Sequence, residues 1–206
     1  MTRSKTVLAT AVAVLALVAA GCGSSSSSSP AKVSGGSSSA AAQAPPIKEV
    51  SPAGDIPDNQ AYVAYAPPGA GFSAKVPEGW ARSTAGGATI FTDKLNSVRM
   101  ESAKATQPLT VASVKTMDIP RLAKTVPGFK AGTVSTVSRA AGQAVKLNYE
   151  ATSAADPVTG KRHRNAVERY VFGKGTTRAT LTLTGPVGAD NVDPWKIVTD
   201  SLRFTR

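Results

Sequence analysis

One cysteine and one histidine among 206 residues remove most of the chemistry that proteins build from soft or titrating side chains. A lone thiol closes no intramolecular disulfide, and His163 has no second histidine or spare thiol with which to form a metal or nucleophilic site. Aromatic residues are scarce, at 5%, and they do not cluster among the charges. Acidic residues number 13 against 24 Lys and Arg. No apolar run reaches the roughly 20 residues that a membrane-spanning helix needs. Also missing are a P-loop, a Gly-x-Ser-x-Gly elbow and a His-Glu-x-x-His helix, so no common catalytic signature is present. The sequence therefore implies a non-catalytic protein with no cofactor and no metal.

What is present begins with the cysteine. Residues 17–22, Leu-Val-Ala-Ala-Gly-Cys, follow a basic start at Arg3 and Lys5 and a run of apolar and small residues over 7–20. This is the layout of a lipobox, in which small residues fit a peptidase and the thiol takes a diacylglycerol group. Residues 1–21 thus read as a lipoprotein signal peptide. Cys22 is expected to become the lipidated first residue of the mature chain, holding it at the cell membrane on the extracytoplasmic side. The alternatives are an ordinary secretory signal or a retained helix, and a run of 14 residues suits cleavage better than spanning.

Residues 23–47 are almost wholly Ser, Gly, Ala and Pro, with one charge at Lys32. Such a composition buries too little apolar surface to offset chain entropy, so residues 22–47 read as a lipidated tether, averaging ~25–30 Å end to end. Residues 48–206 are enough for one domain with one core. Removing Arg3 and Lys5 leaves 22 basic residues against 13 acidic ones, a net +9. Outside the membrane, a basic domain is expected to meet anionic headgroups or acidic polymers, a solvated, soluble surface being an equally good reading of the scattered charges, and no nucleic acid is expected as a partner.

Within the domain, period-two alternation marks strands at 61–66, 72–77, 88–92 and 97–103, the second placing Phe72, Ala74 and Val76 on one face. Antiparallel pairing with one dry and one wet face is expected here. Thr110 is placed to cap a helix with Val111, Val114 and Met117 at spacings of three, continued by Leu122 and ended by Pro127-Gly128. Three longer strands follow at 132–139, 143–152 and 164–172, with a hairpin at Asp156-Pro-Val-Thr-Gly160 and a tight turn at 173–175 into a strand over 178–184. A closing helix is expected with Asp193 as cap, Pro194 in its first position and Trp195, Val198 and Leu202 as its apolar stripe, before a short edge strand at 203–205. The fold class is α+β, an antiparallel β-sheet covered by helices.

The stretch Phe72-Ser-Ala-Lys-Val-Pro-Glu-Gly-Trp80, the run from Arg178 to Asp190, and Asp193-Pro-Trp195 leading to Ser201-Leu-Arg-Phe204 resemble the LpqN/LpqT type of actinobacterial lipoprotein. That type belongs to the wider Mog1/PsbP-like fold group. The resemblance covers about residues 60–206 and implies an α/β/α sandwich around an antiparallel sheet. It also implies a non-enzymatic role beside envelope glycolipids and lipid transporters, and it brings no catalytic residues.

Two sets of residues are candidates for binding. Tyr149, Tyr170 and Phe172 suit a cleft for an acyl chain or sugar ring if they line one side of the sheet, although a place in the core explains aromatic residues equally well. Lys161, Arg162 and Arg164, flanking His163 after the hairpin, form a basic turn that could touch phosphate or sulfate headgroups or simply stay solvated. Glu101, Glu150 and Glu168 fall on strands near Arg99, Lys146 and Arg169, and cross-strand charge pairing accounts for them better than paired-acid catalysis. The functional expectation is a binding or accessory module for envelope lipid or glycolipid handling. The alternative is a ligand-free protein-interaction module in the same place.

Overall fold

The structure, a computed structural model, describes residues 52–205. The chain enters through β1 (Tyr62–Tyr65) and β2 (Phe72–Pro77), then runs through a meander of β3 (Ala81–Ala85), β4 (Ala88–Asp93) and β5 (Asn96–Lys104). A helical connection follows: α1 (Val111–Ser113), a π-helical turn (Val114–Asp118) and α2 (Ile119–Thr125). A second meander comprises β6 (Lys130–Arg139), β7 (Gly142–Thr152), β8 (Arg164–Lys174) and β9 (Thr177–Pro186). The chain ends with α3 (Val192–Asp200) and β10 (Arg203–Phe204).

The two meanders join edge to edge, through β5 and β9. Their seven strands take the order β3-β4-β5-β9-β8-β7-β6, antiparallel throughout, so β9 is the central strand although it comes last of the seven in the sequence. A smaller sheet, β1-β2-β10, is also antiparallel. The α+β class expected from the sequence is the class observed.

Strand parity decides what each face of the large sheet carries. Val98 and Met100 of β5, Leu181 and Leu183 of β9, and Tyr170 and Phe172 of β8 point to one side. There they meet Phe72, Ala74 and Val76 of β2 and Trp195, Val198 and Leu202, the stripe of α3 and the residues just after it. On the other side Val145, Leu147, Tyr149 and Val167 pack under Val114 and Leu122 of the helical connection. Both apolar clusters and every strand pairing of the described residues lie in one compact unit.

Four sequence expectations change. The expected dry-and-wet alternation gives way on β8, where Tyr170, Val171 and Phe172 are buried in succession because that strand is covered on both faces. Strand β3 carries no apolar alternation and is wholly exposed, so periodicity missed it; only its pairing with β4 makes it a strand. The first helix does not keep a regular face. Thr110 does cap it, accepting from Ser113 N at 3.0 Å, but the π turn rotates the residues that follow. Met117 is consequently 46% exposed while Asp118 turns inward.

At α3 the N-cap is Asn191, so Asp193 and Pro194 lie second and third in the helix. The Asn191 side chain is occupied elsewhere: Nδ2 donates to Asn96 Oδ1 (3.1 Å) and Gly54 O (3.0 Å), and Oδ1 accepts from Ile56 N (2.8 Å). Gly185 is required beside this knot, since a Cβ there would lie 2.8 Å from both Asn191 Nδ2 and Asn96 Oδ1. Four segments are tied together at the end of the sheet where the candidate site opens.

Candidate functional site

The helices cover only part of their face of the sheet. Ser97 of β5 pairs with Thr184 of β9, which pairs with Val167 of β8, so all three point to the helical side. Toward β4 that side is open, and it holds a groove of about 670 Å³. Its floor is hydroxyl and amide: Thr92, Ser97, Thr184 and Asn165. The Asn165 Oδ1 atom is buried and has no hydrogen-bond partner among the described residues. A buried acceptor left unpaired costs about 1–3 kcal/mol, and this one is closed off from the open space of the groove.

One wall is the hairpin loop between β7 and β8. Ser153 N donates to His163 O and Asp156 N to Lys161 O, each at 2.9 Å, so the loop is laced shut. Asp156 Oδ1 accepts from Thr159 N (2.7 Å), Thr159 Oγ1 (2.9 Å) and Val158 N (3.0 Å). These bonds, the Thr159 amide first, hold its carboxyl below the usual aspartate range. The aspartate is therefore already engaged by its own turn. Lys161 and Arg162 face the groove from this wall beside the half-buried His163, with Arg162 Nη1 donating to Ser153 O at 2.9 Å.

The opposite wall is the turn between β4 and β5. Lys94, at φ 48°, is the one non-glycine residue with positive φ among the described residues. A lysine in the left-handed region carries a cost of about 1–2 kcal/mol, which the tight pairing of Asp93 with Asn96 across the turn enforces. Lys94, Lys161 and Arg162 make no salt bridge with any described residue. Three cations thus stand around a floor of hydroxyl and amide groups.

The sequence candidates are divided by the fold. Lys161 and Arg162 line the groove, but Arg164 lies on the opposite parity from Asn165 and pairs with Glu150, so the basic trio does not form one patch. The three aromatic residues do not share a cleft either. Tyr170 and Phe172 are buried in the cluster beneath β2 and α3, whereas Tyr149 is buried in the cluster under the helical connection. The reason is register: Tyr149 pairs with Val167, three residues from Tyr170 and hence on the other face. Burial raises the pKa of both tyrosine phenols, and in Tyr170 donation to Glu168 adds to the rise. Cys22 lies outside the described residues.

The strand carboxylates are held by cations: Glu101 by its sequence neighbour Arg99 among others, Glu150 and Glu168 by partners across the strands rather than by Lys146 and Arg169 respectively. Glu101 bonds Arg99 (3.1 Å) and Arg169 (2.9 Å), Glu168 bonds Lys146 (2.5 Å), and Glu150 bonds Arg164. Arg139 joins Tyr170 Oη (3.1 Å), Thr199 Oγ1 (2.9 Å) and Asp200 (3.6 Å), sealing α3 to the sheet. Among the described residues no group of three His, Cys, Asp or Glu side chains is placed to hold a metal ion. The groove itself was not legible beforehand, because its floor draws on β4, β5, β8 and β9. Its one sequence trace is the alternation of Thr180, Thr182 and Thr184 with Leu181 and Leu183 on β9, a polar face opposite an apolar one.

No family model matches the sequence, and no curated protein matches it. Solved structures do. The chain is similar in fold to Mog1/PsbP-type proteins. A solution structure of cyanobacterial PsbP from Synechocystis aligns over 75% of this chain and 98% of its own, at 13% identity and a TM-score of 0.49. The Ran-binding protein Mog1p of Saccharomyces cerevisiae aligns over 70% and 96%, at 8% identity and a TM-score of 0.47. LpqN of Mycobacterium tuberculosis, described as involved in cell envelope biogenesis, aligns over 72% and 93%, at 16% identity and a TM-score of 0.43. Against a Bacteroides thetaiotaomicron structure, at 17% identity and a TM-score of 0.46, the match takes in 69% of this chain and spans about half of that protein, 48%. Each of these is a likeness of fold.

Proposed function

We propose that the protein is a lipid-anchored, non-catalytic binding module of the LpqN/LpqT kind, held on the extracytoplasmic side of the cell membrane and serving envelope lipid or glycolipid handling. The groove carries the binding part of this reading. It is a preformed concavity of about 670 Å³ whose cations are unpaired by the described residues, and its size falls in the range of about 300–1,000 Å³ common for small-molecule sites. The commitment of Glu101, Glu150 and Glu168 to ion pairs supports a non-catalytic role, since an acid or base needs a carboxylate free to exchange its proton. The lipobox at residues 17–22 supports the anchor.

Native mass spectrometry of the full chain, extracted from membranes in mild detergent, tests both parts at once. The expected species begins at Cys22 with a covalent diacylglycerol and carries a second, non-covalent mass in one-to-one ratio. An unlipidated N-terminus overturns the anchor. A lipidated chain with nothing bound overturns the ligand-binding reading in favour of a protein-interaction module, for which the ten-residue β6 is the longer of the large sheet's two edge strands.

A further inference from the structure

We infer that the groove between the β4–β5 turn and the β7–β8 loop is a site for the phosphate ester of a polyol or sugar. This rests on the binding-module reading and gives its ligand a chemical class.

Charge is the first reason. Lys94 stands on one wall, Lys161 and Arg162 on the other, and Asp156 is the one carboxylate among the lining residues. The net lining charge is +2 with His163 neutral, and the aspartate is bound up in its own turn. Cations placed on two walls suit a compact polyvalent anion entering between them, and lysine in particular serves phosphate as a point charge.

The floor is the second reason. A site for phosphate alone needs only donors, but Thr92, Ser97 and Thr184 each accept as well as donate. Acceptors beneath a cationic rim call for a ligand that brings hydroxyl donors together with its anionic group. Ile90, Leu95 and Pro157 add apolar surface suited to the face of a ring. The same chemistry occurs in a lipid headgroup and in a soluble sugar phosphate.

Residues 48–206, which lie within the compact unit that holds both apolar clusters, can be titrated calorimetrically with glucose 1-phosphate, inorganic phosphate and glucose. They can also be sedimented with phosphatidylcholine vesicles lacking or containing phosphatidylinositol. Glucose 1-phosphate is expected to bind and glucose to show no heat. Lys161→Gln, whose side chain makes no described contact, should weaken the phosphate ester at least about tenfold without moving the unfolding temperature. Thr184→Val should weaken glucose 1-phosphate by about the same factor while leaving inorganic phosphate unchanged, because it keeps the shape of the floor and removes a hydroxyl acceptor but no cation. Sedimentation with phosphatidylinositol vesicles, reversed by glucose 1-phosphate, assigns the ester to a headgroup; its absence, with the soluble ester still bound, assigns it to a soluble compound.

Glucose binding as well as its phosphate overturns the inference, as does phosphate binding indifferent to both substitutions. If membrane-extracted protein carries a one-to-one ligand without phosphorus, the chemical class falls and the binding module stands. If it carries none and all titrations are flat, both fall together.

Discussion

Arg169 is a buried guanidinium in the middle of the sheet, and its surroundings show how one charge can be kept there. Nη1 donates to Glu101 Oε2 and to Thr182 Oγ1, both at 2.9 Å, while Nη2 lies 3.8 Å from Asp118 Oδ1 in the π turn. Its Nε is buried without a partner among the described residues. Burial alone pushes the Glu101 carboxyl up, but the charges and hydrogen bonds of Arg169 and Arg99 outweigh it and leave its pKa below the ordinary 4.5. A carboxyl whose folded pKa lies below its unfolded value adds stability that is present above the unfolded pKa and lost as pH falls through the folded one. Glu101→Gln keeps the shape and removes the charge. We expect it to cost about 1–2 kcal/mol at pH 7, discounted for the partial exposure of Glu101, and the gap between wild type and variant to narrow below about pH 4.5. Urea unfolding of both proteins at pH 7 and pH 3.5 checks this; an equal gap at the two values would place the cost in packing rather than in the ion pair.

At the scale of elements, those read best from the sequence have strong periodicity and one buried face. Strand β2 buries Phe72, Ala74 and Val76 as its alternation requires, and the stripe of Trp195, Val198 and Leu202 is buried as expected. Strand β3 and the π turn were unreadable for opposite reasons. The former has no apolar signal at all, and the latter breaks a good signal by widening one turn, which no residue type announces. The exit from the helical connection is better marked, by Pro127-Gly128. Gly128 has φ +62°, and a Cβ there would sit 2.1 Å from Thr152 Oγ1 and 3.2 Å from Thr152 N, so the chain turns against β7 with no room for a side chain. Gly175, at φ +56° in the β8–β9 turn, has nothing within 4 Å of that position. Gly175→Ala should therefore show the backbone cost alone, about 1 kcal/mol, and Gly128→Ala should lose about 2–4 kcal/mol because backbone must also move. Equal losses in thermal unfolding would mean that the helix exit yields freely.

Over the whole molecule, a single sheet separates two apolar clusters, and this arrangement explains why the binding residues could not be read in advance. Sequence alternation tells which residues share a face, but whether that face is covered depends on where the helical connection lands between the two meanders. Tyr149, Tyr170 and Phe172 went to cores on both sides, and the groove was left where the helices stop, floored by short polar residues that are common in any strand. The same arrangement makes an energetic prediction. Leu181 belongs to the cluster beneath β2 and α3, Val114 to the cluster beneath the helical connection, and both are fully buried without sharing a cluster. Truncating each to alanine should cost about 2–5 kcal/mol at Leu181 and somewhat less at the smaller Val114. If the sheet is a rigid partition, the double variant should lose the sum within about 0.5 kcal/mol, and both clusters should still melt in one transition because the β7 and β8 backbones serve both. Denaturant curves followed by tryptophan fluorescence, which reports Trp195 in the first cluster, and by far-UV circular dichroism, which reports the whole sheet, should then coincide. Separated transitions in the Val114→Ala protein would instead show that the helical connection unfolds on its own, and that the covered edge of the groove can open independently of the main core.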